Sequence, residues 1–208
     1  MSRSSTAVRF GLKVSELPRR VDVSIRSSSC QHIVDLITEA VNMKIQDPTF
    51  WDKIQAQGIE LGSSRCKFTP TTISTAWTGV NNASFLKRYV DLNDWLDKEL
   101  SKEDNLHGLS AATLLYIVKS ATNDGKWDLA EAAIRRLIGK GESLTDEKLM
   151  GFAECVEKLQ ESKMSLSDGI MESLAALLRK RQSALNCDKM KRMLENPIFD
   201  TSVKFDDK

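Results

Sequence analysis

The sequence predicts an all-α protein, a right-handed array of antiparallel helical hairpins with extended N- and C-terminal tails. Apolar residues recur at the three- and four-residue spacing of amphipathic helices along most of the chain. A helix-start pattern also occurs four times: a bulky apolar residue, Ser or Thr, three unconstrained residues and a second apolar residue. In such a start the hydroxyl accepts a hydrogen bond from a first-turn amide. The predicted capping residues are Thr69, Ser110, Thr145 and Ser167.

The spacing of these four starts indicates a repeat. Successive capping residues are 41, 35 and 22 positions apart. Such variable intervals are typical of degenerate helical repeats, in which each hairpin buries its apolar side against the next one.

Apolar stripes and stop signals predict four helices in the first half of the chain. The first covers Ile33–Met43, and Asp47 caps a second that begins at Pro48 and ends near Gly62. Thr69 and Pro70 open the third, which Asn81 and Asn82 end. A long partner helix runs from Ser84 to Leu100, so the third and fourth helices form a hairpin.

The second half repeats this organisation after a polar segment, 102–108, that we interpret as a hinge. Leu114, Leu115, Val118 and Ala121 mark a helix ended by Asn123-Asp124-Gly125, and its partner covers 127–138 and is ended by Gly139 and Gly141. A hairpin over 149–159 and 170–178 follows, and then a short helix capped by Asn186 and stopped by Pro197. The chain thus divides into a basic N-terminal arm (1–29), a helical-repeat domain (30–195) and a C-terminal tail (196–208).

Composition and charge exclude several classes of protein. The 208 residues are 41% apolar and 28% charged, as in an ordinary folded chain. Thirty basic and 29 acidic side chains give a net charge of +1, so the chain lacks the overall positive field of a non-specific nucleic-acid binder. No apolar run approaches the roughly 20 residues of a membrane span, and we expect no transmembrane segment.

The N-terminal arm is rich in serine and carries six basic residues against Glu16 and Asp22. This composition is typical of a mitochondrial presequence. The two acids and Pro18 interrupt an amphipathic helix, which leaves a flexible basic tail as the other interpretation.

The reactive residue types form no catalytic or metal-binding pattern. The four cysteines are far apart and are predicted to be reduced and buried, and the two histidines are separated. Asp91, Asp94 and Asp97 share a helical ridge, which we interpret as a solvated acidic face rather than a cation site. We therefore predict no enzyme activity, cofactor, metal or small-molecule substrate.

Two groups of residues are candidates for contacting a partner. A basic ribbon for RNA or an acidic partner would consist of Arg135, Arg136, Arg179, Lys180 and Arg181. Cations near the C-terminal ends of helices also stabilise the helix dipole, which is the competing explanation. In the tail, Phe199, Val203 and Phe205 are the candidate partner-binding residues.

Three segments carry a resemblance to a known family. Phe68-Thr-Pro-Thr-Thr-Ile-Ser-Thr-Ala-Trp, together with the segments that begin at Leu109 and Leu144, resembles the first helix of the heptatricopeptide repeats in FAST-kinase-like and RAP-domain-associated proteins. The resemblance covers roughly residues 30 to 182, but no recognisable RAP domain follows the repeats.

This resemblance implies a mitochondrial location, in the matrix or on the matrix face of the inner membrane. We expect a non-catalytic accessory or scaffold subunit of a large assembly, whose partners are protein subunits. The near-neutral charge slightly favours a respiratory-chain complex or ATP synthase over the mitoribosome. The alternative is an RNA-binding repeat protein of organellar RNA metabolism.

Overall fold

The computed structural model describes residues 30–62, 68–161, 168–185 and 188–196. These residues are largely α-helical and contain no strand, which confirms the predicted all-α class. The chain divides into two compact units, Met1–Gly108 and Leu109–Lys208. The single repeat domain predicted over 30–195 stays a prediction. No helix in the described part of the chain is long and apolar enough to cross a membrane.

The described residues of unit 1 form five α-helices. They are α1 (Cys30–Asn42), α2 (Pro48–Gly62), α3 (Pro70–Asn82), α4 (Val90–Leu100) and the short α5 (Glu103–His107).

Packing in unit 1 joins helices both within pairs and between pairs. Helix α1 packs on α2, and α3 packs on α4, while α1 also packs on α3 and α2 on α4. Trp51, Trp77 and Trp95 are buried in this unit with 0%, 1% and 6% of their surface exposed. Core packing rather than base stacking therefore accounts for these three rings.

The prediction of one long helix from Ser84 to Leu100 is wrong for its first turns. A 3₁₀ turn covers Ser84–Leu86, and α4 begins only at Val90. The side-chain amide of Asn93 donates to the carbonyls of Leu86 (3.0 Å) and Tyr89 (2.7 Å). The Leu86 carbonyl also accepts the Tyr89 amide at 3.0 Å, which closes a turn, so the chain changes direction here instead of continuing as one helix.

The polar segment interpreted as a hinge contains helix α5. Asn105 is 5% exposed, and its side-chain amide donates to the Glu99 carbonyl at 2.8 Å. Leu106 is also buried. This segment is thus tied to the end of α4, and the boundary between the two units follows it at Gly108.

The described residues of unit 2 form five further α-helices. They are α6 (Ala111–Asn123), α7 (Trp127–Ile138), α8 (Asp146–Glu161), α9 (Asp168–Leu185) and α10 (Asp188–Leu194). Its packing repeats the order of unit 1: α6 contacts α7 and α8 contacts α9, while α6 also packs on α8 and α7 on α9. Helix α10 packs on α9.

Two helices end in the same hydrogen-bond arrangement with different residues in the left-handed position. At the end of α6, Gly125 has φ +70°, and the Lys126 amide donates to the Ala121 carbonyl at 2.9 Å. At the end of α1, Lys44 has φ +55°, and the Ile45 amide donates to the Ala40 carbonyl at 3.0 Å. Both are Schellman ends, which strongly favour glycine. Lys44 therefore adopts a strained backbone conformation.

One of the two described cysteines contradicts the prediction that all four are reduced thiols. Cys155 is free and buried, and burial raises the pKa of its thiol. Cys30, by contrast, is disulfide-bonded. Sequence spacing did not reveal this bond because pairing depends on which cysteines the tertiary structure brings together. Cys66 and Cys187 lie outside the described residues.

Replacing Lys44 by glycine should stabilise the protein. Relief of the left-handed backbone exceeds the entropy that glycine adds to the unfolded chain, so we expect Lys44→Gly to raise the free energy of unfolding by about 0.5–1 kcal/mol. Gly125→Ala should lower it by about 1 kcal/mol for the reverse reason. Urea denaturation of both variants measures these changes; an unchanged or lower value for Lys44→Gly would show that the lysine is not strained.

Candidate functional site

The predicted basic residues lie on two helices of unit 2 that pack together. Arg135 and Arg136 occupy the last turn of α7, and Arg179, Lys180 and Arg181 lie on α9. Because α7 packs on α9, the structure brings these helices together. The contacts of the individual side chains then decide which of these cations is available to a ligand.

Arg181 holds the connection between α7 and α8. Its Nη2 donates to the carbonyls of Glu142 (2.7 Å) and Leu144 (3.0 Å). Its Nη1 lies 3.5 Å from the carboxylate of Asp146. A guanidinium can satisfy several acceptors at once because its donors form a planar fork. Arg181 is therefore a structural residue, already engaged by its own unit.

Lys180 and Arg135 are both paired with acids of unit 2. Lys180 lies 2.5 Å from the Glu142 carboxylate, and Arg135 lies 2.5 Å from that of Glu131, one turn earlier on α7. Both pairs are solvent-exposed and contribute little to stability. They nevertheless reduce the positive potential that a phosphate would encounter.

Gly141 permits the close approach of α9 to this connection. It is buried, and a Cβ at this position would overlap the side chain of Leu177 on α9. The Gly139-Lys140-Gly141 segment thus ends α7 and leads into a 3₁₀ turn, Gly141–Ser143. Gly141 in this segment therefore allows α9 to pack closely against the connection.

The predicted caps behave differently from one another. The Ser110 hydroxyl accepts the Thr113 amide at 3.1 Å, and the Thr145 hydroxyl accepts the Lys148 amide at 3.4 Å. Thr69 occupies the N-cap position but makes no side-chain bond to the backbone, because its hydroxyl pairs with that of Thr72. Ser167 lies outside the described residues.

One residue of the acidic ridge, Asp97, and the next acid of α4, Glu99, have structural partners. The Asp97 carboxylate accepts the Trp77 indole N–H at 2.6 Å. Glu99, only 1% exposed, lies 2.6 Å from the ammonium of Lys102. Within the described residues, no group of three or more His, Cys, Asp or Glu side chains is arranged to hold a metal ion.

The candidate tail residues Phe199, Val203 and Phe205 lie outside the described residues. The chain leads towards them from Asn196, whose side-chain amide donates to the carboxylate of Glu157 on α8.

A second set of cations, in unit 1, was not identified as a site from the sequence. Lys44, Lys87 and Arg88 are exposed and form no ion pair with a carboxylate of the described residues. Val90, which follows them, is 59% exposed. We call Lys44, Lys87, Arg88 and Val90 the turn edge, because they lie at or beside the turns after α1 and α3. The left-handed conformation of Lys44 is a structural signal that the sequence does not contain.

Comparison with known proteins gives no further identification: the chain matches no protein family, no curated protein and no solved structure.

Substitution of Arg181 tests its structural role. Lysine is one bond shorter and has one nitrogen, so it cannot hold both carbonyls and Asp146 together, and we expect Arg181→Lys to lower the free energy of unfolding by about 1–2 kcal/mol. Lys180→Ala, which removes an exposed ion pair on the same helix, should cost less than about 0.5 kcal/mol. Denaturant titration of both variants provides the measurement. Equal effects would contradict the assignment of Arg181 as the anchor of this connection.

The ion pair of Glu142 should make stability depend on pH. The hydrogen bond from Lys180, aided by the positive charges of Lys180 and Arg181, lowers the pKa of Glu142 from its usual 4.5. A depressed pKa stabilises the folded state above the unfolded value, and this contribution disappears as the pH falls through the folded pKa. Glu142→Gln should therefore melt below the parent protein at pH 7, and the difference should vanish towards pH 3. A difference that persists at pH 3 would exclude this origin.

Proposed function

We propose that this chain is a non-catalytic helical-repeat protein that serves as an accessory or scaffold subunit of a large mitochondrial assembly. The main support is the order of packing. In each unit the first helices of two successive pairs contact one another, and so do the second helices. This is the arrangement expected of stacked hairpins, which bury a continuous core and leave long helical faces for a partner.

A protein partner fits the surface of unit 2 better than RNA does. RNA binding needs cations that are free to neutralise phosphates. Lys180 and Arg135 instead face acids of the same unit, and Arg181 is bound to backbone carbonyls. A respiratory-chain complex or ATP synthase is accordingly the favoured setting, with the mitoribosome next and free RNA last.

The compartment is part of the proposal, namely the matrix or the matrix face of the inner membrane. The disulfide of Cys30 is the observation that opposes this compartment, because disulfides persist mainly in oxidising compartments. Alkylation of the freshly extracted protein before and after reduction determines the state of Cys30. A thiol blocked until reduction would favour an oxidising compartment over the matrix.

The proposed function is tested by purifying the tagged full-length chain from a mild-detergent extract of mitochondria, with and without ribonuclease. We expect recovery of a stable set of protein subunits, resistant to nuclease, because the contacts are between proteins. Mass spectrometry identifies them. The double variant Arg135→Glu/Lys180→Glu is the matched control, since it reverses exposed cations that a phosphate ligand would need.

Three results decide between the candidates. Nuclease-resistant recovery, unchanged in the control variant, supports the scaffold function. Recovery of RNA that is lost in the variant and weakened by salt would replace it with RNA binding. A chain that elutes alone at its monomer size in every extract would refute both.

A further inference from the structure

We propose that the turn edge of unit 1 binds an acidic segment of a partner protein that also carries an aliphatic side chain. The inference rests on the proposed function, because it identifies where a scaffold protein of this kind would contact a neighbouring subunit.

One buried ring holds the two halves of the turn edge together. The indole N–H of Trp51 donates to the carbonyl of Ile45 at 2.7 Å, which fixes the turn that contains Lys44. The centroid of the same ring lies 6.2 Å from that of Phe85 and 6.4 Å from that of Tyr89. Two separate turns are therefore positioned by Trp51, and their cations belong to one rigid structure.

The guanidinium of Arg88 is held in place before any ligand binds. It lies 4.9 Å from the centre of the Tyr89 ring, and its Nη2 donates to the Tyr89 hydroxyl at 2.8 Å. Stacking on an aromatic face leaves the edge of a guanidinium available for bidentate contact with a carboxylate. Because the side chain is already ordered, less entropy is lost on binding.

The cations of the turn edge form no ion pair with a carboxylate of the described residues. Two acids are close in sequence, and each has a local interaction of its own. The Asp47 carboxylate accepts the Thr49 amide at 3.0 Å, and Asp91 lies in the first turn of α4, where it stabilises the helix dipole. The strained backbone of Lys44 also supports a binding site at the turn edge, since strained residues concentrate at functional sites.

The exposed valine favours a protein over a nucleic acid as the ligand. Val90 is the most exposed large apolar residue in the described part of the chain, and it directly follows Arg88 and Tyr89. Nucleic acids are bound through phosphates, base edges and stacking on aromatic rings. An aliphatic side chain beside cations instead complements a peptide that contains carboxylates and an aliphatic residue.

The test uses the full chain labelled with ¹⁵N and two synthetic probes. One peptide contains repeated Glu-Glu-Leu, and the other has Gln in place of every Glu. We expect the acidic peptide to bind saturably and to shift the amide signals of Lys44 and of residues 87–90. Its affinity should fall as salt rises, because the contacts are ionic. The Gln peptide should bind roughly tenfold more weakly or not at all.

Variants distinguish peptide binding at the turn edge from general electrostatic attraction by surface cations. Lys87→Glu/Arg88→Glu should weaken binding of the acidic peptide at least about tenfold, whereas Lys98→Glu, which reverses an exposed cation near the other end of α4, should change it less than about twofold. Lys44→Gly should weaken binding about threefold while making the protein more stable. A residue that serves only the fold would not change these two properties in opposite directions.

The outcomes distinguish this inference from the proposed function. Shifts on another surface, no saturable binding, or tighter binding of a single-stranded RNA 12-mer at the same residues would overturn the turn edge as a protein site. If the tagged chain and Lys87→Glu/Arg88→Glu recover the same complex equally well, the scaffold function is supported, and the turn edge is refuted as the surface that binds the partner. If the chain recovers no complex but binds the acidic peptide at the turn edge, the surface stands alone.

Discussion

Each helix of this chain has apolar residues along one side, and the need to bury that side determines the rest of the structure. Helix α7 is typical: Asp128 and Arg135 are exposed, whereas Leu129, Ile134 and Leu137 are buried. A helix of this length is marginal alone in water. It becomes stable only when its apolar side meets another helix. Pairing alone leaves part of that side uncovered, which is why α7 packs on α9 as well as on α6.

Polar side chains then fix the connections between the packed helices. In four places a side-chain donor binds a backbone carbonyl at a turn or beside a helix end: Trp51 binds that of Ile45, Asn93 that of Tyr89, Asn105 that of Glu99 and Arg181 that of Leu144. A buried carbonyl without a hydrogen bond is costly. These bonds therefore allow sharp turns within a compact unit, and they position the exposed residues beside each turn.

The distribution of charge follows from the same contacts. In unit 2 three of the five candidate cations, Arg135, Lys180 and Arg181, face Glu131, Glu142 and Asp146. In unit 1 the cations of the turn edge have no such partner among the described residues, although Lys87 and Arg88 look no more remarkable in the sequence than Lys180 and Arg181. Binding to an anion depends on this difference, because a paired cation must lose its internal acid first.

The sequence by itself determined the all-α class and most helix positions, because helical periodicity and stop signals such as Gly125 are local properties of the chain. It did not reveal the 3₁₀ turn at Ser84–Leu86, the disulfide of Cys30 or the role of Arg181. The disulfide and the role of Arg181 depend on groups distant in sequence, and the turn depends on side-chain hydrogen bonds of Asn93 that helical periodicity does not indicate. The candidate site was likewise decided by tertiary structure. The sequence gives the charge of each side chain, but whether that charge is paired depends on which residues folding places beside it.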